Sequence, residues 1–188
     1  MTKLILYSLL LALGGLSWQN FSGNISPPKH FPEWVYPFDK NPLTKAKITL
    51  GRVLFDDPIL SRDSSISCAS CHAPFNAFAH SDHALSHGIE DSIGRRNAAA
   101  LFNLAWQRQF MWDAAINHLD MQALAPIQHQ DEMGESLTKV LEKLTRSKRY
   151  QQLFEQAWEN QAISIPKMLK ALSAFQLSLI SAGSKYDK

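Results

Sequence analysis

Apolar residues recur at helical spacing over several stretches of the chain, and nowhere do they alternate long enough to mark a strand. Over residues 44–55, Leu50, Val53 and Leu54 fall on one face and predict a helix. The best-marked segment is residues 164–181. There Ser164 stands at the N-cap position, Pro166 falls in the first turn, and Ile165, Met168, Leu169, Leu172, Phe175 and Leu179 share a face. Shorter patterns predict helices over 114–125, 136–144 and 147–158, whereas residues 73–96, with scattered Gly, Ser and Asp, read as loop. The fold class predicted is all-α.

The first twenty residues differ from the rest. A lysine precedes an apolar run from Leu4 to Leu16, too short for the ~20 apolar residues that span a bilayer. It fits the apolar core of an export signal. Residues 1–20 are therefore expected to be a signal peptide or a retained N-terminal anchor, and the protein to be periplasmic. Residues 21–43 hold five prolines and read as an extended lead-in. Residues 44–188 read as one domain.

Composition narrows the function classes. The 188 residues are 45% hydrophobic with a net charge of +2, enough for one ordinary core and too little positive charge to coat nucleic acid. The histidines are more informative. His72, His80, His83 and His87 all lie close to the two cysteines, Cys68 and Cys71, in and after the stretch "SISCASCHAPFNAFAH". A disulfide, a zinc site, a redox dithiol and a covalent haem compete for that pattern. Structural zinc needs four protein ligands and there is no second Cys pair. The flanks also lack the strand-to-helix pattern expected around a redox dithiol. Cys-x-x-Cys-His is the signature of covalent haem c attachment, with two thioether bonds from Cys68 and Cys71 and His72 as the proximal iron ligand.

A haem c protein either carries electrons or performs chemistry. A carrier saturates its iron with a second axial ligand, and Met133 or His87 would be that sixth ligand here. The blocks "LGRVLFDDPILSRDSSISCASCH", "LSHG", "GRRNAAALFN", "FMWDAAINHLDMQALAPIQHQDEMGE" and "SAGSKYDK" point to chemistry. Together they resemble the amino-terminal haem domain of bacterial dihaem cytochrome c peroxidases, the MauG-like branch included. The resemblance runs from about Asn41 to Lys188 and implies a cytochrome c-like helical domain with long loops.

It also implies roles. Trp112, of a Trp-Asp pair, matches a tryptophan that relays electrons between two haems. Gln122 and Glu132 match the pair over the open face of the peroxidatic haem, with Pro126 matching between them. Asn97 matches an asparagine near an inter-domain calcium. Glu132 would then move the proton between the oxygens of hydrogen peroxide and Gln122 would orient it. A reduced carrier such as cytochrome c would supply electrons.

Three departures follow from the same resemblance. The position just after Gly88, where many members carry a second axial histidine, holds Ile89, which favours an open haem and leaves His80, His83 and His87 as surface residues. An alanine, Ala114, follows Trp112-Asp113 where glycine is usual. Family members also continue past "SKYDK" into a second haem domain, so this chain would draw its second electron from the protein, with Trp112 as source, or from a separate partner. Calcium is correspondingly doubtful. The alternatives to a peroxidase are a single-haem electron carrier and a half enzyme with little activity alone. In a split enzyme, the surfaces around Trp112 and the final helix would pack on a partner domain or self-associate.

Overall fold

The computed structural model describes residues 26–159 and 161–187. The expected export segment over residues 1–20 lies outside the described residues. The domain is all-α: helices α1 (Lys45–Asp56), α2 (Cys68–Cys71), α3 (Leu119–Gln122), α4 (Leu124–Gln128), α5 (Leu137–Arg146), α6 (Lys148–Trp158) and α7 (Ile165–Leu177), joined by long loops and 3-10 turns. Among the described residues, β-structure is confined to isolated bridges.

The core forms where α1 lies along α7. Leu50, Leu54 and Phe55 of α1 meet Met168, Leu172 and Phe175 of α7 in one apolar cluster, and burial of each such side chain contributes about 1.5–3 kcal/mol. The helices approach so closely that a Cβ on Gly51 would collide with the Ala171 carbonyl and the Phe175 side chain. Gly51→Ala is accordingly expected to lose about 1–3 kcal/mol through overpacking, measured by denaturant unfolding of the haem-loaded protein.

Local chemistry sets the helix ends. Thr44 Oγ1 accepts the Lys47 N–H at 3.2 Å to start α1, and Ser136 and Ser147 cap α5 and α6 in the same way. Pro166 stands in the first turn of α7, but Ser164 makes no side-chain cap bond. Helix α7 stops at Leu177, short of the predicted 181, because Ser178 Oγ donates to the Phe175 carbonyl. The chain beyond it turns to Asn103, whose side chain brackets Ser181 through two bonds of 2.8 and 2.9 Å.

The helix predicted over 114–125 is the clearest correction. Met111 and Ala114 take left-handed conformations, φ 68° and 58°, and a bridge between Phe110 and Ile116 closes the segment as a tight loop. Helix starts only at Leu119, with His118 as N-cap, and runs on past the predicted end through α4 to Gln128. Pro126 fits there because the first turn needs no N–H from it.

The final helix also departs from expectation as a docking face. Its residues Met168, Leu169 and Ala171 through Leu177 are all buried, so α7 is the centre of this domain and offers no apolar face to a partner. Residues 26–43 carry no helix but are fastened down. Val35 and Tyr36 N–H both reach the Ala105 carbonyl, the Trp106 indole donates to Pro32 at 2.7 Å, and the buried Asn41 amide donates to the Lys170 carbonyl at 3.0 Å.

Candidate functional site

The Cys pair and His72 lie at one cavity of about 430 Å³, within the ~300–1,000 Å³ range of ligand pockets. Cys68 and Cys71 bracket the single-turn helix α2, which the Ser67 N–H opens by donating to Ser70 Oγ at 3.1 Å. The turn ends as the His72 N–H closes on the Cys68 carbonyl at 2.9 Å, and the imidazole is thrown into the cavity. Its Nδ1 lies 2.8 Å from the Phe78 carbonyl. A carbonyl can only accept, so Nδ1 carries the proton and Nε2 is the nitrogen left for a metal, with the Ala99 backbone also within hydrogen-bonding reach of the ring. Burial lowers the His72 pKa and favours that neutral ring.

Both cysteines are free thiols. Burial pushes Cys68 up to about 12 and also raises Cys71. A redox dithiol needs a lowered thiol pKa, so the pair lacks the electrostatics of an oxidoreductase motif.

The other wall of the cavity carries Gln122, Pro126 and Glu132, so the structure brings together the residues the sequence singled out. Gln122 comes from the end of α3, and its Nε2 points at Met111 Sδ, 3.7 Å away, a weak partner that a better acceptor would displace. Glu132 sits on the loop after α4. That loop is fixed from several sides: Glu132 N–H to the His129 carbonyl (3.1 Å), Ile89 N–H to the Glu132 carbonyl (2.8 Å) and Arg62 N–H to the Met133 carbonyl (2.9 Å). The buried Glu135 anchors its far end through Lys143, at 2.8 Å. Burial raises the Glu132 pKa, with His129 beside it pulling the other way.

Gly88 is what lets the histidine loop lie on this carboxylate loop. A Cβ there would run into the carbonyls of Asp131 and Glu132. Gly88→Ala should therefore displace the Glu132 loop and destabilise the domain by about 1–3 kcal/mol, which denaturant unfolding would check.

Trp112 is 67% exposed at the cavity mouth, its indole donating to the Asn97 carbonyl at 2.8 Å. It is not a core aromatic. The neighbouring Asp113 is held by Arg96 at 2.8 Å, which with the Ala115 N–H keeps its carboxyl below the usual range. Ala114, standing where glycine is usual, adopts a conformation that costs an L-residue roughly 1–2 kcal/mol. Ala114→Gly is expected to stabilise the protein by up to ~1 kcal/mol after the entropy lost by glycine, read as an increased unfolding midpoint.

The remaining candidates divide. Asn97 donates its side-chain amide to the Ala84 carbonyl, and among the described residues no three His, Cys, Asp or Glu side chains are placed to hold a metal ion. Met133 is 3% exposed within the core cluster and borders the cavity. His87, expected at the surface, is half-buried on the cavity wall with Nδ1 paired to Asp91. The His83 ring lies tilted against it, and His80 in turn against His83. Sequence reasoning missed the Phe78 carbonyl, presented because Ala77 and Phe78 both take left-handed conformations without a glycine to signal it. It also missed His129, which the His-x-x-Glu spacing could have flagged.

The cavity fits a haem. Besides two thiols and the His72 imidazole, a buried polar atom without a protein hydrogen bond, Gln176 Oε1, belongs to a residue of its wall. Buried polar atoms are nearly always satisfied, so a polar-edged group is the natural complement.

Comparisons with known proteins identify relatives of the domain. The family model described as di-haem cytochrome c peroxidase matches residues 45–188. The chain is 33% identical over 187 residues to the methylamine utilization protein MauG of Methylophilus methylotrophus, covering 98% of this chain and 55% of that protein. It is 32% identical over 170 residues to the cytochrome c peroxidase Ccp of Escherichia coli K12, covering 89% of this chain and 36% of that protein. The crystal structure of a MauG-like protein associated with microbial copper homeostasis superposes with a TM-score of 0.79 at 32% identity, covering 88% of this chain and 49% of that one. The chain spans about half the length, or less, of the relatives it matches.

Proposed function

We propose that this chain, which belongs to the dihaem cytochrome c peroxidase family, is a haem c domain that reduces hydrogen peroxide to water with electrons from a reduced carrier such as cytochrome c. One observation carries the reading: His72 and the pair Gln122 and Glu132 border the same cavity. A pure electron carrier has no use for a carboxylate at its haem. Covalent attachment through Cys68 and Cys71, with His72 Nε2 toward the iron, would hold the group.

When bound, haem supplies the redox-active iron at which peroxide is reduced. Two electrons and two protons convert hydrogen peroxide to two waters, and the chain's own residues manage the protons. Glu132 takes the proton from one peroxide oxygen and delivers it to the other, which departs as water. The Gln122 amide exchanges its weak Met111 contact for a hydrogen bond that orients the peroxide. Trp112, exposed at the cavity mouth, is placed to pass electrons inward from a donor or a partner haem domain.

Because burial raises the Glu132 pKa, its carboxylate is lost on acidification earlier than that of an ordinary glutamate. The rate of reaction with peroxide should fall on the acid side at a pH above the usual glutamate range, and a pH–rate profile checks it. A profile flat through that range would remove Glu132 as the base. The apolar run of residues 4–16 supports export to the periplasm as the setting, where c-type carriers would be the available donors.

A further inference from the structure

Outside the cavity, the strongest unassigned chemistry belongs to Tyr36. Its ring is 6% exposed, and its hydroxyl donates to Asp120 Oδ1 at 2.7 Å. Asp120 opens the short helix α3 that ends at Gln122, and only 12% of its side chain is exposed. Three other groups face the pair: Asn41, which hydrogen-bonds Tyr36 and accepts from Lys47 Nζ at 3.3 Å, Lys47, which interacts electrostatically with Asp120, and His118, whose Nδ1 accepts the Asp120 N–H at 3.2 Å. That ring nitrogen lies 3.9 Å from Asp120 Oδ2, so Oδ1 is left to the tyrosine hydroxyl. Burial, and then the Asp120 carboxylate, raise the Tyr36 pKa well above that of a free phenol, so Tyr36 stays neutral and gives up its proton only along the hydrogen bond.

Position makes this pair more than a tether. Tyr36 lines a small second cavity of about 170 Å³ that shares Gln107 and Phe110 with the wall of the haem cavity. Gln107 and Phe110 thus form a wall common to the cavity that Tyr36 lines and the haem site. From Tyr36 a row of rings runs outward: Phe38 at 5.0 Å, Trp34 a further 4.5 Å and Trp106 a further 6.3 Å. Among the described residues a second tyrosine–aspartate pair exists, Tyr150 with Asp57 at 2.9 Å, but neither residue borders either cavity.

We propose that Tyr36 and Asp120 form a redox-active pair that supplies one electron to the peroxide-oxidised haem, resting on the peroxidase reading above. The Tyr36 O–H bond breaks, its proton passes to Asp120 Oδ1, and one electron leaves the ring for the haem. A neutral tyrosyl radical and a protonated Asp120 remain. An electron from the reduced carrier, with the proton returned by Asp120, restores the pair. This gives the haem domain a second reducing equivalent from a buried residue, where the exposed Trp112 would be open to solvent.

The test is freeze-quench electron paramagnetic resonance of the haem-loaded protein after hydrogen peroxide is added. The expected result is a tyrosyl signal that narrows with ring-deuterated tyrosine, is lost in Tyr36→Phe and in Asp120→Asn, and persists in Tyr150→Phe. Haem oxidation without a tyrosyl signal, or a signal that survives Tyr36→Phe, overturns the inference and leaves the peroxidase reading standing. A second arm omits peroxide and oxidises the same holoprotein carrying Tyr186→Phe, which removes a fully exposed competitor, with a photogenerated ruthenium(III) complex. A Tyr36-dependent radical there supports the pair even if peroxide leaves the haem unchanged, a result that would sink the peroxidase reading alone. Its absence in both arms refutes the pair.

Discussion

Glu132→Gln should slow oxidation of the reduced, haem-loaded protein by hydrogen peroxide by ~10²–10⁴-fold, the range for loss of a general acid/base. The substitution keeps the side chain's size and a hydrogen-bonding tip, and removes only the group that can carry the proton from one oxygen to the other. The surrounding loop is held by backbone bonds from Ile89 and Arg62 and by the Glu135–Lys143 pair, none of which uses the Glu132 carboxylate. The variant should therefore fold, attach haem and show an unaltered spectrum. It should also lose the acid limb of the pH–rate profile, since no carboxylate remains at that position to titrate. Stopped-flow mixing of wild type and variant across pH measures both effects.

Cys68→Ser together with Cys71→Ser should abolish covalent haem attachment altogether. In wild type the haem mass should stay with the polypeptide through denaturation and acidified-solvent extraction, and in the double variant it should leave. His72→Gly should act differently. With both thiols present the haem remains attached, but the axial nitrogen is gone, and added imidazole should restore the spectrum. The distinction follows from geometry: α2 presents the thiols from its two ends, whereas His72 stands just beyond it, oriented by the Phe78 carbonyl. Intact mass spectrometry and absorption spectra separate the two outcomes.

Much of this was legible in the sequence, and the limits have physical causes. Helices α1, α5 and α6 announce themselves because each buries one apolar stripe and starts at a Ser or Thr cap, and α7 because its apolar residues recur at helical spacing after Pro166. The Cys-x-x-Cys-His turn is legible because the chemistry demands adjacent residues. Gln122, Pro126 and Glu132 were found through resemblance, since singly each is an ordinary surface-type residue. Residues 114–118 read as helix from sequence but close a loop, because the left-handed turns at Met111 and Ala114 carry no glycine signal. The Phe78 carbonyl and the Tyr36–Asp120 bond were invisible because a backbone acceptor has no sequence signature and the latter pair lies far apart in the chain. The burial of α7 also removed the docking face expected there. The exposed apolar residues at the cavity, Met111 and Trp112, remain available to a partner.

The most direct test of the central claim is turnover by the haem-loaded chain alone, mixed with hydrogen peroxide and an excess of reduced c-type cytochrome. The account predicts sustained oxidation of the donor, two equivalents for each peroxide consumed, and a collapse of that rate in Glu132→Gln. Donor oxidation no faster than with peroxide alone, and equal in wild type and Glu132→Gln, would contradict a peroxidatic site within this domain.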